Sequence, residues 1–234
     1  MSRNQPEQQA PPVQRLRVRY TKRGRMRFSS HRDVSRAVER AVFRAGVPMA
    51  YSSGFHPHPR ISYAGASPTG AASEAEYLEL GLAEQRDPEQ VRRDLDAALP
   101  DGLDVVTVAE SPGGSLADLL VASRWRVVLP DPAGVAEAVA AFLETDAVPV
   151  ERMTKKGLRT FDCRAAVLSL EVAVDQSAEL DLVLRHTVPA VRPDDVLSGI
   201  AQVSGLAVPA HPLLTRLGQG PLDEDTGVLG DPLA

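Results

Sequence analysis

With a single cysteine, Cys163, this chain cannot build a disulfide framework, a multi-cysteine zinc site or the three-thiolate mooring of an iron–sulfur cluster. No cofactor is expected from its own residues. Aromatic residues make up only 4% of the sequence, so few rings are available to stack on nucleic-acid bases, and any recognition of a nucleic acid is expected to read backbone and shape. Long apolar runs are missing as well. Nothing approaches the ~20 residues of a membrane span, and Met1–Pro12, polar and rich in Gln and Pro, lacks the apolar centre of a signal peptide. These absences predict a cytoplasmic chain with no membrane partner. A phosphate-binding loop, a dinucleotide fingerprint and a serine elbow are also lacking, which removes the commonest enzyme signatures.

Acidic residues are scarce where basic ones crowd. Residues 1–64 hold thirteen Lys and Arg against three Asp and Glu, a balance of +10, while the remainder holds thirteen against twenty-eight, a balance of -15; together they give the net -5. A basic first part on an acidic remainder predicts a surface that meets an anion, most plausibly nucleic acid, unless the arginines are cancelled by the chain's own carboxylates. The arginines are ordered. Arg32, Arg36, Arg40 and Arg44 recur every four residues in a segment opening at His31, and at 3.6 residues per turn each step advances only about 40°, so they form one slowly turning stripe. Val34, Val38, Ala41, Val42 and Ala45 supply an apolar face on the other side. Ser30 and Asp33 are placed as a capping box, and Gly46-Val47-Pro48 stops the helix.

The remaining pattern predicts an α+β protein of two tandem ferredoxin-like (split βαβ) units with antiparallel sheets. The expected divisions are a disordered lead at 1–12, a basic unit at 13–112, a second unit at 113–217 and a disordered tail at 218–234. In the first unit the predicted order is a strand at Arg15–Tyr20, whose alternating charged and apolar residues give it one buried face, the arginine helix, a short strand at Pro48–Tyr51, a turn-rich loop from Ser52 to Ser73, a strand at Glu76–Leu82, a helix capped by Asp87, and a strand at Leu103–Ala109. The second unit repeats the alternation from Trp125, with a hairpin turning at Lys155-Lys156-Gly157 and a helix opening at Pro193.

Several residues could carry chemistry. Pro57 and Pro59 stiffen the loop that holds Gly54, Phe55, His56, His58 and Arg60; either Phe55 plugs a core there, or Arg60 and one histidine face a ligand shared with the arginine stripe. His31, at the first turn of the helix, is a candidate acid or base, or a mere part of the cap. A pocket of His31, Asp33, Gly54, Phe55 and His56 beside the phosphate-binding Arg32, Arg36, Arg40, Arg44 and Arg60 is the expected site. No metal is expected, since His31, His56, His58 and Asp33 include neither a tight ligand pair nor a thiolate. Glu74, Glu76 and Glu79 are expected to neutralise arginines. Cys163 lacks a neighbouring histidine and makes a poor nucleophile.

The run Arg27-Phe28-Ser29-Ser30-His31-Arg32-Asp33, then Pro48, Tyr51-Ser52-Ser53-Gly54-Phe55-His56-Pro57-His58-Pro59-Arg60-Ile61-Ser62 and Glu74-Ala75-Glu76-Tyr77, resembles the bacterial radical-SAM-linked (radical-SAM-associated) proteins, a family of unknown function. That family usually has an apolar residue where this chain has Arg32, so the full stripe is a feature of this branch. The resemblance implies a radical S-adenosylmethionine enzyme as partner, and neighbours in RNA and ribosome metabolism; it implies no catalytic residues. With one cysteine, the chain is expected to serve such chemistry as a non-catalytic, RNA-binding or ribosomal-component-binding accessory. The alternatives are a metal-independent RNA-processing enzyme using His31 and a protein-interaction adaptor.

Overall fold

The computed structural model describes residues 8–154, 157–175, 177–209 and 212–234. Among the described residues it is a mixed α+β protein with mainly antiparallel pairing and five α-helices, and its contacts divide it into two compact units, Met1–Asp118 with Leu233–Ala234 and Leu119–Pro232. The division falls after Asp118 and not inside the expected Ser111–Ser115 boundary. Arg17 accounts for this: its guanidinium donates to the carbonyls of Gly113 at 2.7 Å and Gly114 at 3.3 Å, which ties that segment to the first unit.

The first unit contains β1 (Gln14–Lys22), α1 (His31–Arg44), β2 (Ile61–Ala64), β3 (Ala72–Leu82), α2 (Pro88–Ala98) and β4 (Val105–Glu110). Its strands lie in the order β4-β1-β3-β2, every neighbouring pair antiparallel. Both helices form where their caps and apolar spacing dictate. Ser30 accepts the Asp33 backbone N–H at 3.3 Å, and Asp87 accepts those of Glu89 and Gln90 with Pro88 at the first helical position. The Asp33 carboxylate accepts the Ser30 hydroxyl at 2.7 Å and also interacts with the Ser30 backbone, in keeping with the expected box. Val34, Ala37, Val38, Ala41 and Val42 of α1 join Val91, Leu95 and Ala98 of α2 over Leu16, Val18, Leu78, Leu80 and Leu82 in one core. Gly46, at φ +63°, ends α1 in the left-handed region that favours glycine.

A short helix α3 (Leu116–Leu119) leads into the second unit. It comprises β5 (Ala122–Leu129), α4 (Val135–Leu143), a separate hairpin of β6 (Pro149–Thr154) and β7 (Gly157–Asp162), then β8 (Val167–Val174), β9 (Ala178–Arg185), α5 (Pro193–Ser204) and β10 (Leu213–Gly220). The strand order is β10-β5-β9-β8, again antiparallel. Along β5, Trp125, Val127 and Leu129 are buried, while Arg124 and Arg126 face outward onto Asp181 and Glu179 of β9. Helices α4 and α5 meet at Gly199. A Cβ there would lie 2.5 Å from Cys163 Sγ, 3.1 Å from the Phe142 ring and 3.1 Å from Val148. Exchanging Gly for Ala in a helix ordinarily gains up to ~1 kcal/mol, but overpacking a filled core costs about 1–3 kcal/mol. Gly199→Ala should therefore destabilise in denaturant unfolding, and should do so less in a Cys163→Ala background; an unchanged midpoint in the single variant would contradict this packing.

Four expectations differ from what is found. The second strand of the first unit is Ile61–Ala64, inside the stretch expected to be a loop, while Pro48–Tyr51 contributes only isolated bridges, Met49 to Leu82 and Tyr51 to Pro59. β1 is covered on both faces, with Arg17 1% exposed, because Glu79 and the Gly113 and Gly114 carbonyls receive its charge. Residues 8–12 of the lead make contacts: the Gln9 N–H donates to Ser53, and Pro12 packs close to Gly81. Gly218–Gly220 complete β10 where a disordered tail was expected, and beyond them Leu222 bridges Leu229. Residues 1–7 of the lead, and Lys155 and Lys156 of the hairpin, lie outside the described residues.

Candidate nucleic-acid interface

The four arginines of the stripe are all exposed, on the side of α1 opposite its packed face. Among the described residues none of Arg32, Arg36, Arg40 and Arg44 forms a hydrogen bond or an ion pair within 4.0 Å. Many other described arginines pair with carboxylates, although Arg25 and Arg159 are exposed like those of the stripe. Arg15 and Arg17 pair with Glu79, Arg23 with Glu74 and Asp104, Arg124 with Asp181, Arg126 with Glu179, Arg152 with Asp195, and Arg185 with Glu224. Glu74 and Glu79 thus neutralise arginines as expected, whereas the Glu76 carboxylate accepts the Ser67 N–H at 3.2 Å. Among the described residues, carboxylates take up these arginines and none of the stripe's four, which leaves α1 positive. Two carboxyls belong to the helix itself, Asp33 and the exposed Glu39, and Asp33 is held below the usual carboxylate range chiefly by the Ser30 hydroxyl, with Arg36 and Arg32 adding to the effect.

The expected pocket does not assemble as one site. His31 stands at the first turn of α1, its ring 5.1 Å from that of Tyr63 in an edge-on contact and its Nδ1 2.9 Å from the Ser35 hydroxyl. It lines a narrow cleft with Lys22, Tyr63, Ser67 and Glu76. Burial pushes the Tyr63 phenol up to about 12, so that ring stays neutral. Gly54, Phe55 and His56 are not in this cleft. Their loop starts beyond the other end of α1, where Val47 N–H bonds Val42 and Met49 bridges Leu82. The loop is pinned across its neck, Ser52 N–H to His58 O at 2.9 Å and His58 N–H to Ser52 Oγ at 3.0 Å. Arg60, half-buried, donates to the Tyr51 carbonyl at 3.1 Å and so sits with the loop and not on the helix stripe. Phe55 plugs no core; it is 63% exposed. Among the described residues no three His, Cys, Asp or Glu side chains converge as metal ligands would.

Phe43 was missed by the sequence reading. It is 84% exposed, and the signal was available: eleven residues beyond Arg32 amount to three turns and about 20°, which puts it between Arg32 and Arg36 in projection. Together with Phe28 and Phe55, three of the five phenylalanines are exposed in the basic unit.

Cys163 is fully buried, and its thiol is pushed up to about 12 by burial, with Asp162 and Asp195 adding to the shift. Thiolate, not thiol, is the reactive form. Native protein should therefore resist a thiol reagent at pH 8 and react only at the rate of unfolding; rapid labelling in buffer would contradict the burial.

A two-unit α+β protein with antiparallel sheets and one basic, aromatic-bearing helix face is the class these features define. The chain belongs to the bacterial family described as uncharacterized protein conserved in bacteria (DUF2344), which matches residues 15–193. No curated protein matches it. Its fold is similar to that of a chain in the crystal structure of a Cbf5-Nop10-Gar1 complex, with a TM-score of 0.50 at 13% identity over 95% of this chain. This chain spans 57% of the length of that one. An unknown protein from Galdieria sulphuraria is similar at 14% identity over 87% of this chain and 98% of its own, but a TM-score of 0.25 supports no common fold. No helix among the described residues is long and apolar enough to cross a membrane.

Proposed function

We propose that this chain is an accessory RNA- or ribonucleoprotein-binding module, built of two ferredoxin-like units, that works with a radical S-adenosylmethionine enzyme in RNA or ribosomal-protein modification. The observation that carries the reading is the run of arginines on one helix: many described arginines elsewhere are paired with carboxylates, whereas all four of α1 are left to solvent. A stripe of like charge on one helix opposes folding slightly and gains only when an anion covers it. The strand orders β4-β1-β3-β2 and β10-β5-β9-β8 agree with a split βαβ arrangement in each unit, the second carrying the β6–β7 hairpin as an insertion. The partnership follows from the family resemblance and from the lone, buried Cys163, which leaves a radical enzyme's cluster to another chain.

Fluorescence anisotropy of labelled RNA across a salt series tests this. Four phosphate contacts to a single strand give a log–log salt slope of about -3. Binding that is absent, or indifferent to salt, would overturn the proposal. Co-purification of the radical enzyme that persists after nuclease treatment, without any RNA affinity, would instead indicate a protein adaptor.

A further inference from the structure

We infer that the α1 face takes RNA as a single strand, with an unpaired base stacked on Phe43; the inference rests on the RNA-binding reading above. Phe43 adds nothing to the core, for it stands 84% exposed on a helix whose packed residues are Val34, Ala37, Val38, Ala41 and Val42. No ring or guanidinium among the described residues packs on it, whereas Phe28 already has the Arg27 guanidinium 5.3 Å from its ring centre. Its ring is free on a surface otherwise set with charge. Arg36 precedes it by seven residues and Arg40 by three, so both lie on its side of the helix and can hold phosphates while the ring meets a base. That combination of cationic side chains and aromatic platform is what sequence-tolerant single-strand binding uses, with Glu39, four residues before Phe43, an acidic neighbour on the same face.

A duplex cannot use the ring. Its bases are stacked on one another, and its phosphates alone would engage the arginines. Tyr51 and Phe55, 43% and 63% exposed in the loop that follows α1 in the chain, add further open rings to the basic unit. An acidic protein segment would satisfy the arginines as well, yet gives the ring no planar face to stack on.

The test uses the full chain with two probes, a labelled oligouridylate and an RNA duplex of equal charge. Phe43→Ala is expected to weaken oligouridylate binding about tenfold while leaving the duplex affinity and both salt slopes unchanged. In Phe43→Trp the new indole should be quenched by oligouridylate and not by the duplex; the sole native tryptophan, Trp125, is 4% exposed and provides a constant background. Equal losses for both RNAs, or no quenching while oligouridylate still binds, would overturn the stacking and leave RNA binding standing. Equal quenching by polyglutamate would mark a surface for acidic protein and overturn it also. Absence of binding to either probe by the unaltered chain is the separate failure of the RNA-binding reading itself, and the inference falls with it.

Discussion

Exchanging Arg36 and Arg40 together for glutamate is expected to lower RNA affinity about a hundredfold at low salt, and to reduce the log–log salt slope by about 1.4, the share of two phosphate contacts to a single strand. Both residues are exposed and neither bonds to another described residue, so the change falls on the interface and not on the fold. Exposed substitutions away from caps and cores ordinarily shift stability by no more than about 0.5 kcal/mol. An unaltered circular dichroism spectrum together with the lost affinity is therefore the predicted pair of results. Undiminished binding by the folded double variant would remove α1 from the interface. Arg124 and Arg126 are the natural control, since Asp181 and Glu179 already neutralise them; their exchange should leave RNA affinity unchanged.

The second large effect belongs to the core of the other unit. Phe142 is fully buried at the meeting of α4 and α5, with Gly199 close against its ring and the Arg164 guanidinium 6.0 Å from the ring centre. Truncation to alanine removes apolar transfer energy and leaves a cavity, at a cost of about 3–5 kcal/mol. The lower end is expected here. Arg164 Nε is buried without a hydrogen-bond partner, and a water entering the vacated space would satisfy it and offset part of the loss. The guanidinium chloride midpoint of Phe142→Ala measures this, and a loss under about 1 kcal/mol would contradict the packing. Because the missing ring also makes room for a Cβ at position 199, Phe142→Ala and Gly199→Ala together should cost less than the sum of the two.

Local signals in the sequence led to much of this structure. α1 is found at His31–Arg44 because Ser30, the four-residue apolar spacing and Gly46 all agree, and α2 because Asp87 and Pro88 do. The β6–β7 hairpin and α5 likewise lie where turn chemistry places them. What escaped depends on distant partners. β10 reads Leu-Leu-Thr-Arg-Leu-Gly-Gln-Gly, with two glycines and with Arg216 and Gln219 at buried positions, so no alternation announces it; its strand character comes from pairing with β5, far earlier in the chain. Arg17 looked solvent-facing because its neighbours alternate, and partners such as Glu79 and two remote carbonyls make its burial tolerable. The site was legible as a helix face and illegible as a pocket: periodicity places Arg32 to Arg44 on one line, but nothing in the spacing says that the Phe55–His56 loop starts beyond the far end of that line from His31. Three exposed phenylalanines also relax the limit that a 4% aromatic content set on base contact, since the position of a ring matters more than the total.

The regular step between the stripe's arginines has a metric consequence. Four helical residues climb about 6 Å, close to the distance between successive phosphates of an extended strand. A rigid rod graduated in that interval works as a ruler, pairing one cation with one nucleotide over a footprint of roughly four, with the gentle helical drift of the rungs letting the strand wind slightly as it follows. Under the proposed RNA-binding role, such a ruler would grip a short exposed stretch without enclosing it, and so would leave the nucleotides on either side open to a second protein.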